Sequence, residues 1–425
     1  MKTKFTLLLI MFAIANLAAQ TKYLHCGQLI DGISDEVRKE MTIVVEGNKI
    51  TKVEKGYLQA KTGVKIIDLK NKTVLPGLMD CHVHIEFEFN KATYLERFTL
   101  DQADNSFRAV KFAEVTLDAG FTTVRDLGGS GINVALRKAI DAEYIKGPRI
   151  YTAAKSIAIT GGHADPTNGG KMGLFDVPGP ADGVADGADE CRKAVRQQVK
   201  NGADLIKITA TGGVLSVARD GFRPQFTEAE INAIIETAND FGITVAAHAH
   251  GDEGMRRAVA AGISSIEHGT MMSEETMDLM IEKGTYYVPT ITAGRAVADS
   301  ALIPRFYPAV VRPKALFIGP KIQSTFEKAH KRGVKIAFGT DAGVFQHGLN
   351  ALEFQFMTES GMSPMKAIQS ATMEAAKLLR IEDKLGSIEV GKLADIIAVD
   401  ENPIENIKTL MNVPFVMKDG KVYKQ

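Results

Sequence analysis

Apolar positions along the chain follow two rhythms. In the middle, short apolar runs recur and each is followed by a longer stretch with helical spacing, whereas the two ends carry strand-like runs punctuated by turn residues. The middle runs are Leu75 to His84, Thr122-Thr123-Val124, Arg149-Ile150-Tyr151, Leu205-Ile206-Lys207-Ile208, Thr244-Val245-Ala246-Ala247, Ser265-Ile266-Glu267, Tyr287-Val288 and Ile336-Ala337-Phe338. Between them lie helical patterns; Thr227-Glu228-Ala229-Glu230 opens one over Ile231 to Asp240, with Thr227 as cap and Glu230 spaced to complete a capping box. Eight such units over roughly 300 residues predict an α/β protein built on a (β/α)8 TIM barrel, whose chemistry gathers where strands end. A doubly wound open sheet is the competing arrangement, but no glycine-rich dinucleotide fingerprint follows the first strand.

At the ends, Met41 to Ile50 reads as strand, Gly47-Asn48 turn, strand, and Val64 to Leu69 as another strand. Ala394 to Val399 and Phe415 to Val422, the latter turning at Asp419-Gly420, match them at the other terminus. The pattern predicts a small β-sandwich domain formed from both chain termini, residues 20–75 plus 385–425, around a barrel of residues 76–384.

Composition narrows the function classes. With 51 Lys+Arg against 51 Asp+Glu and 45% hydrophobic residues, the chain has neither the basic excess of a nucleic-acid binder nor the apolar poverty of a disordered protein. Residues 1–19 have the layout of a signal peptide: a basic start at Lys2 and Lys4, an apolar run from Phe5 to Leu17, and Ala18-Ala19 before the expected cut. The run is shorter than the roughly 20 residues that span a bilayer. The expectation is an exported protein, periplasmic or secreted, with no permanent membrane anchor. Cys26, Cys81 and Cys191 lie far apart and read as small buried hydrophobes.

The histidines carry the chemistry. His82-Val83-His84 closes the first barrel strand, and period-two alternation turns both imidazoles to one face. His248 and His250 end the fifth, His268 the sixth and Asp341 the eighth. Each alone reads as a hydrogen-bonded rim residue, or in Asp341 as a cap. Together, at strand ends that converge on one mouth, they predict a metal site. Lys207 sits inside an apolar strand, where an ammonium is costly unless paired or neutral. A structural ion pair is one solution; a neutral amine that reacts with carbon dioxide to give a bridging carbamate is the other.

Leu75-Pro76-Gly77-Leu78-Met79-Asp80-Cys81-His82-Val83-His84, Lys207, His248, Ser265-Ile266-Glu267-His268-Gly269, Gly339-Thr340-Asp341-Ala342-Gly343 and Gly386 to Asp395 together resemble the amidohydrolase superfamily. The likeness is greatest to the imidazolonepropionase-related branch with Xaa-Pro dipeptidases and ochratoxinase-like amidases. The resemblance implies that His82, His84 and Asp341 bind one metal, that His248 and His268 bind a second, and that carboxylated Lys207 bridges them. It implies two divalent metal ions, zinc by donor type, and metal-activated hydroxide with Asp341 as general base and acid.

His250 stands where some relatives have tyrosine and is a candidate oxyanion donor and substrate contact. His163, after the third strand, and His347, in the loop after the eighth, are candidate substrate contacts; Gln346 stands where relatives often have proline. His25 and His330 fall outside the pattern. Thr211-Gly212-Gly213-Val214 reads as a place where backbone approaches the site, and Tyr286-Tyr287 as packing.

The implied reaction is hydrolysis of an amide next to a free α-carboxylate, by a dipeptidase with Xaa-Pro among its candidate substrates or by an N-acyl-amino-acid hydrolase. Arg219 and Arg223 are candidates for the carboxylate. A mononuclear cyclic amidohydrolase or deaminase is the alternative, kept open by the His250-Gly251-Asp252-Glu253 spacing; a non-catalytic exported binding protein on a barrel scaffold is the alternative of another class. The partner expected is a small molecule or dipeptide, with the oligomeric state, a homo-oligomer included, left open.

Overall fold

The computed structural model describes residues 21–425, so the expected signal peptide lies outside the described residues. The N-terminal strands are β1 (Lys22–Ile30), β2 (Val37–Glu46), β3 (Lys49–Lys55) and β4 (Lys65–Pro76). Seven further strands follow through the middle: β5 (Leu78–Val83), β6 (Phe121–Asp126), β7 (Arg149–Thr152), β8 (Ile206–Thr209), β9 (Val245–Gly251), β10 (Ser265–Met271) and β11 (Tyr286–Val288). The last are β12 (Ile396–Val399), β13 (Phe415–Lys418) and β14 (Lys421–Lys424).

Both termini meet in one sheet of order β14-β13-β12-β4-β1-β2-β3. Two tight turns set its register. Gly47-Asn48 joins β2 to β3, and Asp419-Gly420, with φ of 49° and 71°, joins β13 to β14 as expected of a two-residue hairpin that needs positive φ at both positions. Alternation along the strands divides the apolar side chains between two cores. Ile396, Ala398, Phe415 and Met417 join Leu24, Ile43 and Ile67 inside the terminal sheet. Ile397, Val399 and Val416 face the opposite way into the large central core.

The middle strands form two parallel sheets, β5-β6-β7 and β8-β9-β10-β11. Backbone pairing links them at both gaps. The Asp204 amide donates to Thr152 O at 2.8 Å, and Ile157 bridges Ile208 in parallel. On the far side, Ile336 bridges Tyr287, the Cys81 amide donates to Phe338 O at 2.8 Å, and the Asp341 amide donates to His82 O at 2.7 Å. The eighth expected strand is therefore hydrogen-bonded on both sides yet is not a continuous strand. The chain leaves extended geometry at Asp341, where φ is 61°.

The helix after β8 spans Glu228–Asp240, and its capping box forms as expected: Thr227 Oγ1 accepts from the Glu230 amide and Glu230 Oε2 accepts from the Thr227 amide. The three cysteines are buried and unpaired. Among the described residues no helix is long and apolar enough to cross a membrane.

Candidate active site

The strand ends surround a cavity of about 790 Å3, within the range of small-molecule sites. His82, His84, His163, Lys207, His248, His250, His268 and Asp341 all line it. Strand alternation accounts for several of them: Lys207 and Thr209 share the inner face of β8, and His248 and His250 that of β9. Two residues reach the cavity by breaking the alternation. His268, next to the inward-facing Glu267, adopts φ of 69°, and Asp341 adopts 61°. Left-handed backbone at a residue other than glycine costs about 1–3 kcal/mol and persists where the surroundings enforce it. Here the Tyr287 hydroxyl donates to His268 O at 2.9 Å and the Asp341 amide is paired with His82 O.

His82, His84, His248, His250 and His268 each have one ring nitrogen in a hydrogen bond. His84 Nδ1 donates to Gly128 O at 2.7 Å and His248 Nε2 to Gly212 O at 3.1 Å, so protons are fixed on those atoms because a carbonyl can only accept. His82 Nδ1 meets Glu267 Oε2 at 2.9 Å. Thr290 and Thr270 hydroxyls hold Nδ1 of His268 and His250, at 2.8 and 2.7 Å. The free nitrogens of His82 and His84 both lie 3.4 Å from Asp341 Oδ1, a buried oxygen without a hydrogen-bond partner. Donor atoms of His82, His268 and Asp341 fall within 4.8 Å of one another. The His248 ring stands 4.7 Å from that of His268.

This donor set fits divalent metal: unprotonated imidazole nitrogens aimed at an orphaned carboxylate oxygen. Enclosure pushes the imidazoles toward the neutral, ligand-competent form. His84 falls to about 4, His163 and His250 to about 3, and His82, His248 and His268 well below the ordinary value. Burial likewise pulls the Lys207 ammonium down, partly offset by Glu267 and Asp341, and pushes the Asp341 carboxyl up against the attraction of Lys207.

The remaining expected residues divide. His163 stacks on His248 at 4.3 Å and keeps a buried, unpartnered Nδ1. Its ring lies against Gly213, where a Cβ would sit 2.2 Å from it, so glycine is required there for space. His347 does not line the cavity. Its Nε2 meets Phe87 O at 2.9 Å and its ring stacks on Phe112, so it supports the loop that carries Phe87 into the cavity. Neither Arg219 nor Arg223 lines the cavity. Glu253 does not line it either; it is 43% exposed and paired with Arg256 and Arg257, so the deaminase-like spacing places no carboxylate at the site.

Several supports had gone unremarked in the sequence. Arg125 and Glu267 are fully buried partners behind His82, and Lys314 donates to the carbonyls of Gly213, Ser216 and Ala218, each at 2.8 Å. A charged residue on the inner face of an apolar strand was the available signal for Arg125 and Glu267. Lys314 offered none, because its partners are carbonyls about a hundred residues away.

A mixed α/β scaffold with this ligand-like cluster at its strand ends is the arrangement expected of a metal-dependent hydrolase. Residues 73–423 match the amidohydrolase family, and the chain belongs to it: an enzyme that hydrolyses carbon–nitrogen bonds. It is similar to a Xaa-Pro dipeptidase whose crystal structure has methionine bound in the active site, with 55% identity, a TM-score of 0.94, and coverage of 95% of this chain and 100% of that one. It is 33% identical to ochratoxinase of Aspergillus niger over 96% of this chain and 87% of the relative. Imidazolonepropionase of Acinetobacter baumannii is 25% identical over 86% of this chain and 89% of its own length.

Proposed function

We propose that the chain is a binuclear metal-dependent amidohydrolase that cleaves an amide or peptide bond next to a free α-carboxylate, as a dipeptidase with Xaa-Pro among its substrates or as an N-acyl-amino-acid hydrolase. The observation that carries this reading is the aim of His82 Nε2 and His84 Nε2 at the unpartnered Asp341 Oδ1. In this reading the two parallel sheets and the segment between them are one (β/α)8 barrel over residues 76–384. The terminal sheet folds over its own apolar cluster as a sandwich of residues 20–75 and 385–425.

His82, His84 and Asp341 would hold one cation, His248 through Nδ1 and His268 through Nε2 the second, and Lys207, carboxylated by carbon dioxide, would bridge them. Zinc suits imidazole and carboxylate donors. The cations supply Lewis acidity there, making a water more acidic and polarising the scissile carbonyl. Asp341 takes the water's proton and passes it to the leaving nitrogen. Thr270 Oγ1 lies 2.7 Å from His250 Nδ1; as the donor there it would leave the imidazole proton on Nε2, to be given as a hydrogen bond to the oxygen that gathers charge. His163, stacked on His248, contacts substrate beside it.

Phe87, Phe89, Val214, Leu215, Val297 and Ile322 give the wall an apolar part, which suits an apolar side chain. Methionine in the active site of the similar dipeptidase supports that preference. The exposed position of Glu253 weighs against the deaminase alternative. Export after removal of residues 1–19 is part of the proposal and rests on the sequence; N-terminal sequencing of the mature protein tests it. For the activity, the test is a screen of dipeptides and N-acyl-amino acids with zinc-loaded protein. Turnover of apolar Xaa-Pro or N-acyl substrates is expected, and turnover of cyclic amides or aminated rings alone would overturn the reading.

A further inference from the structure

Behind the cavity lies a charged cluster that touches no substrate. Arg125 and Glu267, on β6 and β10, are 1% and 0% exposed and form an ion pair of 2.8 Å across the interior. All three Arg125 nitrogens and the Ser265 hydroxyl donate around the pair. Arg125 Nε donates to Cys81 O at 2.5 Å, Nη1 to Ser265 Oγ at 3.1 Å and Nη2 to Glu267 Oε1, which also accepts from Ser265 Oγ at 2.5 Å. Glu267 Oε2 is left for His82 Nδ1.

We infer that Arg125 and Glu267 are positioning residues that fix the tautomer of His82, keeping its proton on Nδ1 so that Nε2 faces the metal position as a lone pair. The inference rests on the reading of His82 as a metal ligand. A buried ion pair contributes little net stability, and two apolar side chains would fill the same space without the desolvation cost. Its geometry has a use if one carboxylate oxygen must be an acceptor toward His82. Arg125 and Ser265 saturate the other oxygen and hold the carboxylate in that orientation. A carboxylate behind a ligating imidazole raises its basicity and fixes its ring.

The orientation makes a specific demand on an amide at this position. In Glu267→Gln, the carbonyl is drawn to Arg125 and Ser265, which turns the NH2 toward His82 Nδ1. His82 must then accept at Nδ1 and carry its proton on Nε2, where it faces the metal. Replacing Arg125 as well removes the competing donor. In R125M/E267Q the carbonyl can turn to His82 while Ser265 Oγ accepts from the NH2, and the original tautomer returns.

The experiment loads wild type, His82→Asn, E267Q, E267D, R125M and R125M/E267Q with cobalt, and follows metal loss to a graded chelator together with the cobalt absorption spectrum. E267Q is expected to bind one of its ions about 10- to 100-fold more weakly than wild type, with R125M/E267Q recovering most of that loss. A residue that merely packs would not be rescued by a second deletion. E267D keeps the charge but withdraws the oxygen from Nδ1, so it must also bind one ion more weakly, which keeps the inference testable if E267Q does not fold. Wild-type affinity in E267Q or E267D, with His82→Asn weakened, would overturn the positioning role alone. Unchanged metal binding in His82→Asn would instead overturn the ligand reading beneath it.

Discussion

Asp341 combines three properties seldom found in one carboxylate: a left-handed backbone, burial, and an oxygen with no hydrogen-bond partner. The proposed role, a metal ligand that also shuttles a proton, would account for the burial and the unpartnered oxygen. Asp341→Asn keeps the size and one coordinating oxygen but cannot accept a proton, so kcat is expected to fall by at least about 100-fold with metal retained. Steady-state kinetics beside metal analysis checks this, and unchanged turnover would remove Asp341 from its role. Period-two spacing made His82, His84, His248 and His250 legible from the sequence. Lys207 was legible because a cation in an apolar strand demands a reason. The Glu267–His82 contact was not, because alternation tells which way a side chain points but not which residue on another strand it meets.

At the scale of elements, the loop from Thr211 to Phe226 forms one wall of the site. Its Gly212 carbonyl accepts from His248, its Gly213 leaves room for His163, and Val214, Leu215 and Ser216 line the cavity. Lys314, from the helix Arg312–Ile318, pins it through three carbonyls. Lys314→Met should release the wall and raise KM about tenfold, equivalent to about 1.4 kcal/mol of binding, with a smaller change in kcat. Equal KM in variant and wild type would show that the loop holds its shape unaided. Thr227→Ala, at the cap of the following helix, should instead lower unfolding free energy by about 1 kcal/mol and leave kcat/KM alone, as chemical denaturation and kinetics can show. That cap was readable from four consecutive residues. The eighth strand was readable as a position but not as a broken ladder, since nothing local in Gly339-Thr340-Asp341 announces a positive φ at the aspartate.

On the scale of the whole molecule, the sheet from the two termini is fastened to the central strands by charge as well as by packing. Arg149 pairs with Asp395 and Asp419 at 2.9 and 2.8 Å, and Lys418 donates to Gly147 O at 2.7 Å. The sequence indicated that the ends meet, through matching strand patterns, but not the parallel pairing of β1 with β4, which depends on a crossover that local pattern does not encode. The enclosed imidazoles also set a pH dependence for the metal-free protein. His84, His163, His250 and His347, lowered to between about 3 and about 4, bind fewer protons folded than unfolded below the ordinary value of 6.5. Stability therefore falls as pH drops from 6.5 toward 4, each such group contributing up to about 1.4 kcal/mol per pH unit. Asp80, Asp341 and Glu353, raised to about 6, about 8 and about 8, oppose this, as do Glu86, Asp126 and Asp204, also pushed up by burial; the lowered imidazoles, which include His82, His248 and His268 as well, outnumber them. Thermal unfolding of chelated protein should show its midpoint falling across that window, and added zinc should raise the midpoint at neutral pH by binding the folded state. The central claim, a binuclear centre bridged by carboxylated Lys207, is tested most directly by metal content per chain in protein prepared with zinc and bicarbonate. Two tightly bound ions, reduced when bicarbonate is withheld or Lys207 is replaced by alanine, are the expected result; a single ion per chain, indifferent to bicarbonate and to Lys207, would contradict it.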